Sequence, residues 1–261
     1  MGELEGKTAL IFGIANHNSV AWPITQKLAA QGVRLALTYQ ERMEQNVRKL
    51  AGTLPGTPLV LPCDVQSDDE LDATFAEAGR ELGGLDVLIH SVAYAPTDDL
   101  RGRVSHVSRT GFLTALDISA YSLIAMAKRA ESLMQGREGG GSIVAMTYLG
   151  SERVVPGYNL MGIAKAALEA SIRYLAWDLG GAGIRVNGIS AGPMRTLSAR
   201  GVGNINDMFA LVEQVAPLKR NIMQADVADL ALYLCSAGAQ NLTGNVLHLD
   251  AGFHLMGLGA M

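Results

Sequence analysis

Short apolar segments alternate with longer segments of helical pattern along almost the whole chain, and this alternation limits the possible folds more than any other feature. The apolar segments are nearly continuous, which is typical of strands that are buried on both faces. Strands separated by helices form parallel sheets with helices on both faces. The predicted strands are 8–12, 34–38, 59–62, 86–90, 142–147, 184–190 and 245–250. The predicted helices are 20–31, 43–51, 69–82, 119–134, one that holds Lys165 and ends near 179, and 226–235.

The chain has 261 residues, and no repeat, linker or low-complexity segment divides it. Single α/β domains commonly reach this size. We therefore predict one α/β domain over residues 1–261, a Rossmann-type doubly wound parallel sheet of about seven strands with helices on both faces.

The composition excludes several classes of function. The formal net charge is −4 and no basic stripe stands out, which argues against nucleic acid as a partner. Cys63 and Cys235 lack the spacing of metal ligands, so we expect reduced structural thiols and no metal. The acidic N-terminus is unlike a signal peptide, and no apolar stretch reaches the roughly 18 residues that span a bilayer. These features predict a cytoplasmic protein that does not enter a membrane.

The ends of the predicted strands carry residues suited to a dinucleotide. Ligands of doubly wound sheets bind beyond the carboxyl ends of the strands. Gly13 follows the first strand and allows a tight turn, and Ser19 is expected to cap the next helix, whose amides would face a pyrophosphate. The segment is not G-x-G-x-x-G, so an ordinary loop remains the alternative. Asp64 and Val65 after the third strand could hold adenine, and Val92 after the fourth lies where a ribose could approach.

The second strand is followed by Gln40, Glu41 and Arg42. A neutral or acidic side chain here suits the free 2′-hydroxyl of NADH, whereas an arginine suits the 2′-phosphate of NADPH. Gln40 and Glu41 favour NADH, while Arg42 is the argument for NADPH.

Tyr158 and Lys165 lie seven residues apart, which on a helix is two turns and places both side chains on one face. Such a pair is commonplace, and a surface lysine below a packed tyrosine is the alternative. Its position directly after the fifth strand favours chemistry beside a nicotinamide. Tyr158 could donate a hydrogen bond to a substrate oxygen that gains charge, and Lys165 could hold the nicotinamide ribose. Tyr148, ten residues upstream, could form part of the pocket wall.

At these residues the chain closely resembles the NADH-dependent enoyl-acyl-carrier-protein reductases of bacterial fatty-acid synthesis, within the short-chain dehydrogenase/reductase superfamily. The matching segments are GIANHNSVAW, TYQ, CDV, HSVAYAP, DISAYS, TYLGSERVVPGYNLMGIAKAALEA, IRVNGISAGPMRTL and GNVLHLDAGF. The resemblance implies reduction of a trans-2-enoyl thioester, carried on acyl carrier protein, to the saturated acyl thioester. It also implies NADH as the reductant and a homotetramer.

Carried over by matching motif, the implied catalytic residues are Tyr148, Tyr158 and Lys165. The implied substrate contacts are Ala95, Tyr148 and Tyr158. The implied cofactor contacts are Gly13, Ser19, Val20, Gln40, Asp64, Val65, Val92, Lys165, Met194, Arg195, Thr196, Leu197 and Ser198. The chain departs from many members at Pro23 and Ala93, where they have glycine.

Two long stretches, 95–112 and 194–207, interrupt the alternation of strands and helices, and such loops are usually functional or mobile. Leu197, Ile205, Met208, Phe209 and Leu211 are apolar enough to cover an acyl chain, with core packing as the alternative. We predict a substrate-binding lid at about 194–210. The tail 252–261 has no acidic or basic side chain, and we expect it at a subunit interface.

Two other functions compete with enoyl reduction. A carbonyl reductase of the same superfamily would have a Tyr-x3-Lys pair, and the seven-residue spacing argues against it. A catalytically silent dinucleotide-binding regulator would be expected to lack Tyr158 or Lys165, and both are present.

Overall fold

The computed structural model of the protein describes residues 3–194 and 205–257. Within these ranges the strands are β1 Thr8–Phe12, β2 Arg34–Tyr39, β3 Leu59–Pro62, β4 Val87–His90, β5 Gly141–Thr147, β6 Ile184–Ala191 and β7 Val246–Leu249. They form one seven-stranded sheet in the order β3-β2-β1-β4-β5-β6-β7. Every neighbouring pair is parallel, which confirms the predicted fold class.

Helices connect successive strands and cover both faces of the sheet. In the described part of the chain they are α1 Ala21–Ala30, α2 Glu44–Ala51, α3 Asp68–Leu82, α4 Thr97–Arg101, α5 Arg109–Leu116, α6 Ser122–Met134, α7 Asn159–Gly180, α8 Ile205–Val215 and α9 Gln224–Cys235. A π-helical turn, Asp117–Tyr121, joins α5 to α6.

The residues of β1 show why the strands are continuously apolar. Ala9 and Ile11 belong to one buried cluster, whereas Leu10 and Phe12 belong to another. Successive side chains of a strand point to opposite faces, so a sheet with helices on both faces needs apolar residues at every position. Phe12 packs against Phe75 of α3 with ring centroids 5.9 Å apart.

The order of the strands decides where a ligand can bind. The chain runs outward from β1 to β2 and β3, and then returns to place β4 on the other side of β1. The connections on the two sides of β1 therefore run in opposite directions, which opens a crevice at the carboxyl ends of β1 and β4. The candidate site residues after these two strands meet at this crevice.

Two stretches that were predicted to be loops contain helical residues: α8 begins at Ile205, inside 194–207, and the stretch 95–112 differs more. The stretch 95–112 was expected to be irregular and the next helix to begin at 119, but α4 and α5 occupy much of that stretch. Ser108 is the N-cap of α5, and its hydroxyl accepts a hydrogen bond from the amide of Gly111 at 2.9 Å. Serine is a favoured N-cap residue, so the local signal for a helix start was present. The π-helical turn obscured it, because an extra residue in one turn shifts the apolar period.

One described helical segment, Arg109–Met134, is long and apolar enough to cross a membrane by length and hydropathy. Slightly more than half of its most apolar 18-residue stretch is buried inside the fold. Ala115, Met126, Ala127, Ala130 and Met134 are fully buried. This burial is that of a core helix, and core helices satisfy the same test of length and hydropathy.

Candidate active site

The crevice between β1 and β4 depends on Gly13. This residue has φ +103°, a conformation that favours glycine. A Cβ atom at Gly13 would lie 2.1 Å from the carbonyl oxygen of Ser91, the residue after β4. The two strand ends therefore approach each other more closely than any side chain allows. Gly13 itself has no side chain to cover the backbone of this turn, and a dinucleotide binds at the turn after the first strand of a doubly wound sheet.

The loop after Gly13 is held by Ser19, although not in the way that was predicted. The Ser19 hydroxyl accepts hydrogen bonds from the amides of Ala15 and Asn16 at 2.9 and 3.1 Å. It does not cap α1, because Val20 is the N-cap residue and already has helical dihedral angles. Ser19 shapes the loop, and the N-terminal amides of α1 keep no side-chain cap. The amide of Trp22 donates to the carbonyl oxygen of Ser19 at 3.0 Å and Pro23 has no amide hydrogen, which leaves the amides of Val20 and Ala21 to face an anion.

The other predicted cofactor residues lie where the sheet brings strand ends together. Gln40 directly follows β2, and its side-chain oxygen accepts a hydrogen bond from Arg42 at 3.2 Å. Asp64 closes a turn by accepting from the amide of Gln66 at 3.0 Å, while Val65 is buried. Val92 follows β4 and is partly buried against the core. Met194 lines a cavity at the same edge, and Arg195, Thr196, Leu197 and Ser198 lie outside the described residues.

Tyr158 occupies the N-cap position of α7, one residue before the helix rather than inside it. The adjoining residues, Gly157 and Asn159, have φ of +82° and +29°. The side chain of Asn159 donates hydrogen bonds to the carbonyl oxygens of Leu100 and Gly102 at 2.8 and 2.6 Å. These contacts hold the start of α7, directly after Tyr158, against the end of α4.

Tyr148 and Tyr158 form the aromatic part of the site. Their rings meet edge to face, with centroids 4.8 Å apart and an interplanar angle of 67°. Gly150 makes this packing possible, because a Cβ atom there would lie 2.3 Å from the Tyr158 ring. Burial raises the pKa of Tyr148 to about 12, and burial together with Tyr148 and Glu169 raises the pKa of Tyr158 further. Both phenols are therefore hydrogen-bond donors at neutral pH.

Lys165 lies two turns along α7 and is almost fully buried, at 5% exposure. Its ammonium donates a hydrogen bond to the carbonyl oxygen of Met146 at 2.7 Å. Burial lowers the pKa of Lys165 to about 8. His90, at the end of β4, is fully buried, and burial together with the charge of Lys165 lowers its pKa to about 3. Lys165 is thus a cation held at the sheet edge beside a neutral imidazole.

Ala95, the predicted substrate contact, lies on the same side as the tyrosines. It is buried in a small apolar cluster with Leu160 and Met161, and Tyr158 packs against that cluster. Its neighbour Tyr94 is held through both backbone atoms by the hydroxyl of Ser119, which lies 3.0 Å from the amide and 3.1 Å from the carbonyl oxygen. Ser119 belongs to the π-helical turn, which directs the fully buried hydroxyl at this loop.

The sequence reasoning missed Ser119, Asn159, His90 and Glu169. Asn159 had a local signal, since asparagine tolerates positive φ better than most residues. The others had none, because each acts on a segment that is distant along the chain. His90 lies 2.8 Å from the Ser122 hydroxyl, for example, and Glu169 bonds residues 18 and 22 positions away.

A cavity of about 430 Å³ lies at the same sheet edge, and its lining includes Asn18, Met194, Phe209 and Ile222. The Tyr148 hydroxyl donates to the Sδ atom of Met208 at 3.2 Å, which ties α8 to this edge. The edge therefore combines backbone that no side chain covers, two phenolic donors, a buried ammonium and an apolar wall. These groups fit a dinucleotide and a substrate whose oxygen gains negative charge.

The chain is similar to known enoyl-acyl-carrier-protein reductases over almost its full length. The family model described as Enoyl-(Acyl carrier protein) reductase matches residues 13–254. The enoyl-[acyl-carrier-protein] reductase [NADH] of Bacillus cereus is 50% identical over 97% of this chain and 99% of its own length. The [NADPH] enzyme of Staphylococcus aureus is 49% identical over the same shares of the two chains. A crystal structure of the Bacillus cereus reductase with NADP+ and indole naphthyridinone covers 99% of this chain and 100% of that chain, with a TM-score of 0.96 and 50% identity.

Proposed function

This chain belongs to the enoyl-(acyl carrier protein) reductase family, and on that premise we propose how its site performs the family's reaction. It is an NADH-dependent oxidoreductase of fatty-acid elongation that reduces the trans-2 double bond of an enoyl thioester to the saturated acyl thioester. The observation that carries the assignment of roles is the grouping of Tyr148, Tyr158 and Lys165 at the carboxyl edge of the sheet, beside the Gly13 crevice.

The cofactor, when bound, supplies hydride to the β-carbon of the substrate. The residues of the chain bind and orient both molecules. Tyr158 donates a hydrogen bond to the thioester oxygen and stabilises the negative charge that gathers there, because its raised pKa keeps the phenol protonated. Transfer of a proton from solvent to the α-carbon then removes this charge and gives the saturated thioester. Lys165 would hold the nicotinamide ribose with its ammonium, and Tyr148, whose ring packs on that of Tyr158, would form part of the pocket wall. Ala95 contacts the substrate from the β4 side.

The direct test is consumption of NADH, followed by its near-ultraviolet absorbance, with crotonyl thioester as substrate. We expect turnover with this enoyl substrate and none with a β-ketoacyl thioester. Turnover of only the β-ketoacyl substrate would replace enoyl reduction with carbonyl reduction. Absence of turnover with either substrate would reject the catalytic assignment.

The cofactor preference is expected to favour NADH, although two relatives, both from Staphylococcus aureus, are named as NADPH enzymes. The guanidinium of Arg42 donates a hydrogen bond to the side-chain oxygen of Gln40 at 3.2 Å, so one of its donors is already occupied. Glu41 adds a negative charge next to them, which disfavours a 2′-phosphate. At equal concentrations we expect faster turnover with NADH than with NADPH. Faster turnover with NADPH would instead assign Arg42 to the 2′-phosphate.

We propose that residues 194–210 form a substrate-binding lid. Support comes from Met194 and Phe209, which line the 430 Å³ cavity, and from the bond between Tyr148 and Met208. Of the other apolar residues predicted for the lid, Leu197 lies outside the described residues, whereas Ile205 begins α8. Adding NAD+ and a substrate analogue is expected to slow hydrogen exchange in 194–210. Unchanged exchange in this segment would count against a lid.

We propose that the protein is a homotetramer. Tyr174 and Trp177 of α7 are 74% and 82% exposed, and Leu113 of α5 is 59% exposed. Exposed aromatic side chains on adjacent helical turns are typical of subunit interfaces. The tail 252–261 was predicted at an interface; Leu255 is 69% exposed, and residues 258–261 lie outside the described part. Light scattering is expected to give the mass of four chains, and a monomeric mass would reject the proposal.

The proposed substrate arrives on acyl carrier protein, and the same proposal places the enzyme in the cytoplasm. Cys63 and Cys235 are both buried free thiols, which fits a reducing compartment. Burial raises the pKa of Cys63 to about 11 and that of Cys235 to about 12, so neither thiol has the properties of a nucleophile.

A further inference from the structure

Glu169 is a buried carboxylate that the proposed mechanism does not use. It lies one turn beyond Lys165 on α7 and is only 6% exposed. Burying a carboxylate is costly unless it is hydrogen-bonded or paired with a charge. The contacts of Glu169 therefore show what it stabilises.

The hydrogen bonds of Glu169 enclose the segment that carries Tyr148. Its Oε1 atom accepts from the hydroxyl of Thr147 at 2.6 Å and from the hydroxyl of Ser151 at 2.6 Å. Thr147 ends β5, Ser151 ends the next turn, and Tyr148 lies between them. The Oε1 atom of Glu169 thus fixes both ends of the segment that carries Tyr148, whose ring packs on Tyr158.

Glu169 also places a negative charge one helical turn from Lys165. The hydrogen-bond acceptor of Lys165 is a neutral carbonyl, that of Met146. Burial lowers the pKa of Lys165, and the charge of Glu169 opposes that shift. The other titratable groups that face this region in the described residues are His90 from β4, the two tyrosines, and Asp250 after β7, which acts on Tyr148.

We propose that Glu169 is a positioning residue for the reaction: it fixes the Thr147–Ser151 segment that presents Tyr148, and it places a negative charge one helical turn from Lys165, the group proposed to bind the cofactor. The second role rests on the function proposed above for Lys165. Glu169 itself touches neither the tyrosine hydroxyls nor the ammonium, and it acts through the residues that do.

Two substitutions separate the two roles of Glu169. Glu169→Gln keeps an oxygen that can accept both hydroxyl hydrogen bonds but removes the charge. Glu169→Asp keeps the charge but withdraws the oxygen by one methylene. Asp178→Asn, on the exposed side of the same helix, is the matched control for loss of a carboxylate. Circular dichroism and thermal unfolding establish that each variant is folded.

The readouts are the pH dependence of kcat/KM and of the Kd of NADH, measured by fluorescence titration. In the wild type, kcat/KM and the affinity for NADH are expected to fall at alkaline pH as Lys165 loses its proton. In Glu169→Gln this fall is expected to occur about one pH unit lower, because a nearby opposite charge changes a pKa by one unit or more. In Glu169→Asp the alkaline loss is expected to stay at the wild-type pH, while kcat falls by about tenfold as Tyr148 loses its support. Asp178→Asn is expected to match the wild type throughout.

A Glu169→Gln profile that overlays the wild type would overturn the electrostatic role. An unchanged kcat in Glu169→Asp would overturn the positioning of Tyr148. Absence of enoyl turnover in the wild type would reject the proposed function instead, and the pH dependence of NADH binding would still decide the effect of Glu169 on Lys165.

Discussion

Tyr158→Phe is expected to lower kcat for crotonyl thioester by about 10²-fold or more, which is the usual cost of removing one donor to a developing oxyanion. The substitution removes only the hydroxyl, so the edge-to-face packing on Tyr148 at 4.8 Å is kept. The raised pKa of Tyr158 makes the phenol a donor throughout the neutral range, and phenylalanine offers no substitute. The measurement is the initial rate of NADH consumption at saturating substrate.

The matched control is Tyr233→Phe, since the Tyr233 hydroxyl donates to the carbonyl oxygen of Gly238 in another part of the fold. Its kcat is expected to equal that of the wild type. The Kd of NADH is expected to be unchanged in both variants, because Tyr158 is assigned to the substrate oxygen. A Tyr158→Phe enzyme with wild-type kcat would remove Tyr158 from the chemistry.

Lys165→Met is expected to raise the Kd of NADH by about 10- to 100-fold, the range that corresponds to hydrogen bonds from a charged group. Methionine fills a similar volume but cannot donate to the ribose hydroxyls. Fluorescence titration with NADH measures the effect, and Lys128→Met, an exposed lysine on α6, is the control. Equal affinity in Lys165→Met and the wild type would show that Lys165 does not hold the cofactor.

The same variant has a predictable pH dependence of stability. The pKa of Lys165 is about 8 in the folded state and 10.5 in the unfolded chain, so the folded state binds this proton less tightly than the unfolded state. The charged lysine therefore opposes folding below about pH 8, by an amount on the order of 3 kcal/mol, and this cost disappears as the pH rises to about 10.5. Lys165→Met should be at least as stable as the unliganded wild type at neutral pH. The difference in free energy of unfolding between the variant and the wild type should shrink between about pH 8 and 10.5. A variant that is stable but binds NADH weakly has lost cofactor binding and not its fold.

Most of the sheet could be predicted because burial on both faces leaves a direct mark on the sequence. Thr8–Phe12 and Leu59–Pro62 have the predicted bounds. Each of the other strands differs from its prediction by a single residue, at one end or, for Val246–Leu249, at both ends. The helices were harder, as α5 shows. Its apolar period is interrupted by the π-helical turn, and a period cannot reveal an extra residue in a single turn.

The candidate site was predictable only in part. Gly13 is needed because the chain passes within reach of Ser91, 78 residues away, and a local pattern gives no measure of that distance. Ser19 was assigned as a helix cap from its position, whereas its hydroxyl instead accepts from two amides of the preceding loop. Both outcomes depend on backbone geometry that forms only when the strands have paired.

By itself, the sequence determined the parallel sheet, the placement of Tyr148, Tyr158 and Lys165 after the fifth strand, and the family resemblance. These follow from local periodicity and from motifs that are continuous in the chain. The tertiary structure decided the protonation of the site and its supports. Burial sets the direction of the pKa shifts of Tyr148, Tyr158 and Lys165. Glu169, Ser119 and Asn159 reach across 18, 25 and 59 residues to hold the segments of the candidate site. Such contacts arise from packing in three dimensions, and no spacing along the chain encodes them.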